Sequence, residues 1–312
     1  MEFPMPDRRR SRKLFIHWLA PLVLLTGSLS TAGHAQPYAL DARAIGRAAA
    51  VEATVKDDGV VRIGWSRDDV SVTVDGMPFP RAAGLGSWAA FKALPDGSVM
   101  VMGDCVVFED EITPAMDAAF AHGLNVTALH NHFIFDRPPV YYMHIGGHGE
   151  DAAALAKGAR AVWDAIKAVR AADPTPANQF SGRVPDKTGE LDIAALRAIL
   201  GTEPSVKDGV VKFSFGREAT MHNTTIGASM GIATWAAFIG NAQYAVVDGD
   251  FAMTAEEVQP VMHALRNAGI HIVALHNHML GGNPFYYFLH YWGKGNPEAL
   301  ARGVQAALDT QQ

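Results

Sequence analysis

The chain has 312 residues, of which 49% are hydrophobic and 19% are charged, a composition typical of a globular protein with one large domain or two of average size. The net charge of −6 and the pI near 6.1 give no sign of the basic surface that binds nucleic acid. We therefore expect no nucleic-acid partner.

The N-terminal segment has the pattern of an export signal. A basic stretch, MEFPMPDRRRSRK, precedes the apolar stretch LFIHWLAPLVLLTGSLSTA, and small residues follow at Gly33 and Ala35. We predict that residues 1–35 form a signal peptide cleaved before Gln36, which gives a periplasmic or secreted protein without a stable membrane anchor. The alternative is an uncleaved membrane anchor. The single cysteine, Cys105, lies in an apolar run, so we expect a buried thiol and no internal disulfide.

The rest of the chain repeats itself. LDARAIGRAAAVEATVKDDGVV resembles LDIAALRAILGTEPSVKDGVV, and GLGSWAAF resembles GIATWAAF. The five residues ALHNH occur twice, ending at His132 and at His278, and residues 99–149 align with the second copy without a gap at an offset of 146. We predict a tandem duplication. Repeat one covers residues 38–172 and repeat two covers residues 189–312, and the Pro-, Gly- and polar-rich segment between them, residues 173–188, is a linker.

Helices and strands are mixed within each repeat. In chain order the sequence predicts a strand at VVRIGWS, a helix at LDIAALRAIL, strands at GVVKFSF and AQYAVVDGDFAM, a helix from Pro260 to Gly269, β-rich runs at IHIVALHNHML and PFYYFLHYW, and a last helix after the cap Asn296. The elements do not alternate as in βαβ units. We predict an α+β fold, a tandem duplication of a mixed, largely antiparallel β domain with flanking helices.

Three histidines recur at the same spacing in both repeats. Side chains alternate between the faces of a strand, so His276 and His278 point the same way, and a returning strand brings His290 to that face. The equivalent histidines of repeat one are His130, His132 and His144. Three imidazoles on one face suit zinc or another divalent transition metal, with a fourth position open to a water whose pKa falls towards ~7.

The motifs resemble those of the LppY/LpqO family of exported bacterial proteins. The resemblance covers nearly the whole mature chain and includes SWAAF, MGD, ALHNH, YYMHIGGHG and HYWGKG. Named members are lipoproteins, and this sequence departs from them because it lacks the lipobox cysteine. The histidine spacing is also similar to the zinc triad of the acetolactate decarboxylase fold, which a human ester hydrolase shares. That resemblance covers the ligand hairpin alone and implies that the six histidines are zinc ligands.

Four acidic residues shared by the repeats are candidates for acid–base catalysis: Asp104, Asp250, Glu111 and Glu257. A turn or helix-cap role for the two aspartates, and a favourable charge near a helix N-terminus for the two glutamates, are the alternatives. Arg137, His148 and Lys294 are candidate substrate-binding residues, although each is equally consistent with an ordinary solvated side chain. Trp88 and Trp235 are expected in the core.

Three functions are consistent with the sequence. The first is an exported zinc-dependent enzyme, a hydrolase or lyase acting on a small carbonyl substrate. The second is a periplasmic metal-binding protein without catalysis. The third is an envelope structural or interaction protein in which the histidines merely pack.

Overall fold

The computed structural model describes residues 39–185 and 190–311. The predicted signal peptide, residues 1–35, and the end of the predicted linker, residues 186–188, lie outside these ranges. The described residues contain the following helices: α1 Ala42–Ala49, α2 Ile112–Ala121, α3 Ala152–Ala172, α4 Ile193–Leu200, α5 Ala255–Asn267 and α6 Pro297–Leu308.

The strands fall into two matching series. Repeat one contains β1 Thr54–Val55, β2 Val61–Ser66, β3 Thr73–Val74, β4 Met77–Pro78, β5 Gly86–Ala93, β6 Val99–Phe108, β7 Asn125–Asn131, β8 Asp136–Arg137 and β9 Val140–Gly149. Repeat two contains β10 Ser205–Lys207, β11 Val210–Gly216, β12 Ala219–Met221, β13 Thr224–Ile226, β14 Ala233–Gly240, β15 Ala245–Met253, β16 His271–His276 and β17 Tyr287–Gly295.

The two repeats share one large antiparallel sheet. Among the described residues it has twelve strands in the order β1-β2-β5-β6-β9-β7-β16-β17-β15-β14-β11-β10, and equivalent strands occur in reverse order on the two sides of the centre. The repeats meet where β7 pairs antiparallel with β16 through Leu129 and Leu275. The fold is therefore α+β with a tandem duplication, as predicted, and the repeats join edge to edge.

The helices cover one face of this sheet. All six contribute side chains to a single hydrophobic core that spans both repeats and includes strand residues such as Val101, Met143 and Tyr291. On the helix side, Arg266 of repeat two pairs with Asp117 of repeat one at 2.8 Å. None of the helices in the described ranges is both long and apolar enough to cross a membrane.

Local sequence explains where the helices start, with one departure from expectation. The side chain of Asn296 caps α6, as predicted, by accepting a hydrogen bond from the amide of Ala299. The predicted start of α5 at Pro260 is wrong, because the helix begins at Ala255. Thr254 and Glu257 form a capping box there, which satisfies the first amides and leaves the proline inside the helix.

Candidate metal centres

The histidines of repeat one lie on the sheet face opposite the helices. Met143 and Ile145 are buried in the helix-side core, so His144 between them points to the other face, which we call the site face. On the neighbouring strands, His144 pairs with Asp104 of β6 and with Ala128 of β7. The register therefore brings an aspartate and a histidine side by side.

Repeat two has the same register. His290 pairs with Asp250 of β15 and with Ala274 of β16, and its neighbours Leu289 and Tyr291 are buried in the helix-side core. The equivalent strand pairs thus produce a second group of histidines and an aspartate on the same site face.

In repeat one, His144 lies close to both His130 and Asp104. Nε2 of His130 lies 3.2 Å from Nε2 of His144, and Nε2 of His144 lies 3.7 Å from Oδ1 of Asp104. The ring centroids of His130 and His132 are 5.1 Å apart. The structure therefore brings the three predicted ligands together and adds Asp104, which the sequence placed among acid–base candidates.

In repeat two the convergence is tighter. Asp250, His276 and His278 offer ligand atoms that all lie within 4.8 Å of one another, and this cluster can hold a metal ion. Nε2 of His278 lies 3.3 Å from Oδ2 of Asp250, and Nε2 of His276 lies 3.9 Å from Oδ1. His290 stands beside the cluster, with its ring centroid 4.6 Å from that of His276.

The hydrogen bonding of His290 leaves one ring nitrogen for a metal. Its Nδ1 lies 3.2 Å from the carbonyl oxygen of Gly249, so a proton on Nδ1 fixes the tautomer with a lone pair on Nε2. A backbone acceptor of this kind commonly orients a metal-binding histidine.

Buried atoms in both clusters lack hydrogen-bond partners among the described residues. They are Oδ1 of Asp104, Oδ1 of Asp250 and Nε2 of His276. A buried polar atom without a partner is costly, and a cation in the repeat-two cluster would satisfy Oδ1 of Asp250 and Nε2 of His276, as a separate cation in repeat one would satisfy Oδ1 of Asp104. Burial raises the pKa of Asp250, and the neighbouring histidines offset part of that rise. The donor set of two histidines and a carboxylate fits a divalent transition metal.

An aromatic ring supports one histidine of each cluster. Tyr142 stacks on His132 with ring centroids 3.3 Å apart, and Phe288 stacks on His278 at 3.6 Å. Sequence reasoning missed these rings. The signal was present, because Tyr142 lies two residues before His144 in a strand and therefore faces the same way.

The two tryptophans expected in the core instead lie half-buried on the site face. Trp88 pairs with Asp104 and Trp235 with Asp250 on adjacent strands. The guanidinium carbon of Arg62 lies 4.1 Å from the Trp88 ring centroid, and a lysine occupies the equivalent position over Trp235. Each centre thus has a tryptophan beside its aspartate and a cation over the tryptophan ring.

Both glutamates proposed for catalysis are engaged elsewhere. Glu111 is fully buried, with Oε2 2.7 Å from Nη1 of Arg67 and Oε1 2.7 Å from Nε of Arg170. Glu257 closes the capping box of α5 and pairs with Arg217 at 3.0 Å. These contacts leave both carboxylates bound to arginines.

The three candidate substrate-binding residues also have local partners. Nη1 of Arg137 donates to its neighbour's carbonyl oxygen, and Nε2 of His148 lies 2.7 Å from Oγ of Ser98. Nζ of Lys294 donates to the carbonyl oxygens of Phe180 and Gly182 in the linker. Lys294 therefore holds the linker against the sheet, and its ammonium group is not directed at the metal cluster.

The fold and the site define a tandem-repeat α+β protein with a candidate metal centre in each repeat. A family model described as Domain of Unknown Function (DUF1259) matches residues 43–165 and 194–310, and the chain belongs to this family. No curated protein matches the chain.

Two solved structures show a distant likeness. One is a trimeric bacterial microcompartment shell protein, PduB, at 11% identity over 83% of this chain and 89% of that chain, with a TM-score of 0.19. The other is EutL from Clostridium perfringens, at 13% identity over 68% of this chain and 80% of that chain, with a TM-score of 0.18. At these scores neither likeness bears on function.

Proposed function

We propose that this protein is an exported metal-dependent enzyme, a zinc hydrolase or lyase that acts on a small carbonyl compound. The observation that supports the proposal best is the cluster of Asp250, His276 and His278, whose buried Oδ1 and Nε2 atoms have no other partner among the described residues.

The solvent exposure of the cluster favours a catalytic metal site over a purely structural one. The side chains of His276 and His278 are 30% and 35% exposed, whereas Asp250 is only 2% exposed. A metal held there is anchored on the buried carboxylate and reachable from solvent. Zinc would supply a Lewis acid for a carbonyl oxygen and activate water for attack.

The chain's own residues supply orientation and a proton acceptor. Phe288 fixes the ring of His278 by stacking, and the Gly249 carbonyl orients His290. Asp248 lies two residues before Asp250 on the same face and offers a carboxylate able to accept a proton. Met102 occupies the equivalent position in repeat one, so this acceptor belongs to repeat two alone.

A metal-binding protein without catalysis is the second candidate. The engagement of Glu111 and Glu257 in buried arginine pairs favours it, because these shared acids then take no part in proton transfer. The two candidates differ in one measurable property, the turnover of a substrate by the metal-loaded protein.

The first experiment is elemental mass spectrometry of the mature chain from residue 36. Wild type is compared with a variant carrying His276→Ala and His278→Ala and with a matched variant carrying His130→Ala and His132→Ala. We expect up to two metal ions per chain, one of which is lost in each variant. The metal-loaded proteins are then assayed against esters, lactones, amides and β-keto acids.

The results separate the candidates. Turnover that disappears with the repeat-two histidines supports the enzyme. Metal without turnover across the whole panel supports the storage or binding function. If no metal binds even after reconstitution with zinc, iron, manganese or copper, both candidates are wrong and the histidines only pack.

A further inference from the structure

A cavity of about 760 Å³ opens beside the repeat-two centre. His290 forms one end of it, and the wall continues along β17 through Trp292 to Lys294. Alternate residues of a strand share a face at about 3.3 Å per residue, so this wall extends roughly 13 Å from the histidine. The opposite wall comes from the linker, which Lys294 holds in place.

Most of the cavity wall is apolar. Its hydrophobic lining comes from the linker and from the strands β14 to β17: Phe180, Val184, Ile239, Val246, Val273 and Trp292. Val184, Ile239 and Val273 are 79%, 39% and 41% exposed. Exposed apolar side chains grouped in a concave surface commonly mark a ligand-binding groove.

Repeat one differs at the same positions. Gly146 replaces Trp292 and Thr127 replaces Val273, so repeat one lacks the indole of the repeat-two wall and has a polar residue in place of the valine. The linker lies against repeat two, where Phe180 stacks on His271 with centroids 4.0 Å apart. The two repeats therefore share the histidines and the aspartate of the candidate metal centres but differ in the residues beside them.

We infer that the repeat-two cavity binds the apolar acyl or alkyl tail of the substrate while its carbonyl head lies at the neighbouring metal centre. This inference rests on the proposed function and names its substrate class, a carbonyl compound with an uncharged hydrophobic tail of medium length. The cavity is continuous with His290, which places the head at the cluster and directs the tail along β17 towards Lys294.

Binding of hydroxamic acids tests the inference without requiring turnover. The zinc-loaded chain carries His130→Ala and His132→Ala, so only the repeat-two centre can bind the hydroxamate head. Calorimetry compares acetohydroxamic, butanohydroxamic, hexanohydroxamic and octanohydroxamic acids. We expect affinity to rise about fourfold for each methylene that enters the cavity.

Substitutions in the wall locate the tail. Val273→Asp and, separately, Val184→Asp introduce a charge at exposed positions and should reduce the affinity for octanohydroxamic acid to nearly that for acetohydroxamic acid. Thr127→Asp, at the equivalent position of repeat one, is the matched control and should leave the chain-length series unchanged.

Each outcome is informative. If every hydroxamic acid binds with the same affinity, the cavity does not hold the tail, although the metal centre stands. If the series is steep but insensitive to Val273→Asp and Val184→Asp, the tail lies elsewhere and the inference is overturned. If the chain binds no metal and no hydroxamic acid, the proposed function and this inference fail together.

Discussion

Replacing Asp250 by asparagine tests the metal centre through stability. The side chain is 2% exposed, and burial raises the pKa of its carboxyl group. An acid whose pKa is higher in the folded than in the unfolded state destabilises the fold at pH values above the unfolded pKa. Without metal at neutral pH, Asp250→Asn should therefore leave the melting temperature unchanged or raise it.

With metal bound, we expect Asp250→Asn to lower the melting temperature relative to the parent protein. A ligand at a hundred times its dissociation constant stabilises the folded state by about 2.7 kcal/mol. A protein of this size gains about 2–4 °C in melting temperature per kcal/mol, so zinc should raise that of the parent protein by roughly 5–10 °C. The Asp250→Asn variant should lose most of this shift, because an amide replaces the anionic ligand that anchors the ion.

The assay is calorimetric melting of a chain that carries His130→Ala and His132→Ala, so a single centre contributes, in chelator and in buffered zinc. Asp248→Asn, two residues away on the same face, is the control and should retain the zinc-dependent shift. A zinc shift that survives Asp250→Asn would refute the reasoning. Equal destabilisation with and without zinc would show that Asp250 is structural.

Three further predictions concern residues outside the centres. Burial, and secondarily the charge of a neighbouring aspartate, raises the pKa of the Cys105 thiol to about 12. A thiol reagent at mildly alkaline pH should therefore react with Cys105 only after unfolding. Prompt reaction of the native protein would contradict this burial. Arg67→Met removes one of two arginines paired with buried Glu111 and should lower the free energy of unfolding in urea by about 3 kcal/mol, whereas a loss below 1 kcal/mol would mean that the pair is dispensable. Thr254→Ala should cost about 1 kcal/mol by removing the α5 cap while leaving the metal content unchanged.

The sequence predicted the features that depend on local periodicity and on the duplication. Alternation along one strand placed His130 and His132 on a common face, and the matching spacing in the two repeats gave His144 as their partner. In the structure His144 lies against His130, whereas His148 bonds to Ser98. Such conclusions need only the geometry of one strand and a second copy of it.

The features that the sequence did not reveal depend on the pairing of strands distant in the chain. Asp104 joins the histidines because β6 pairs with β9 in a register that puts it opposite His144, forty residues later. The pairing of Glu111 with Arg67 was not predicted for the same reason, since Arg67 follows an earlier strand. Both contacts join residues that are far apart in the chain, so no local sequence pattern predicts them.

The junction of the repeats explains why the two centres can differ. Each centre spans three strands, centred on β9 in one repeat and on β17 in the other, and β7 and β16 lie between these two strands. At about 4.8 Å per strand the centres are roughly 14 Å apart on one face, far beyond the ~4 Å of two metals that act on one bond. A metal in either centre would therefore be held by the ligands of that repeat alone. Neither centre needs ligands from the other repeat, so the residues around the two centres can differ, as Gly146 and Trp292 do. Of the two repeats, repeat two carries the wall of the cavity proposed to bind the substrate tail.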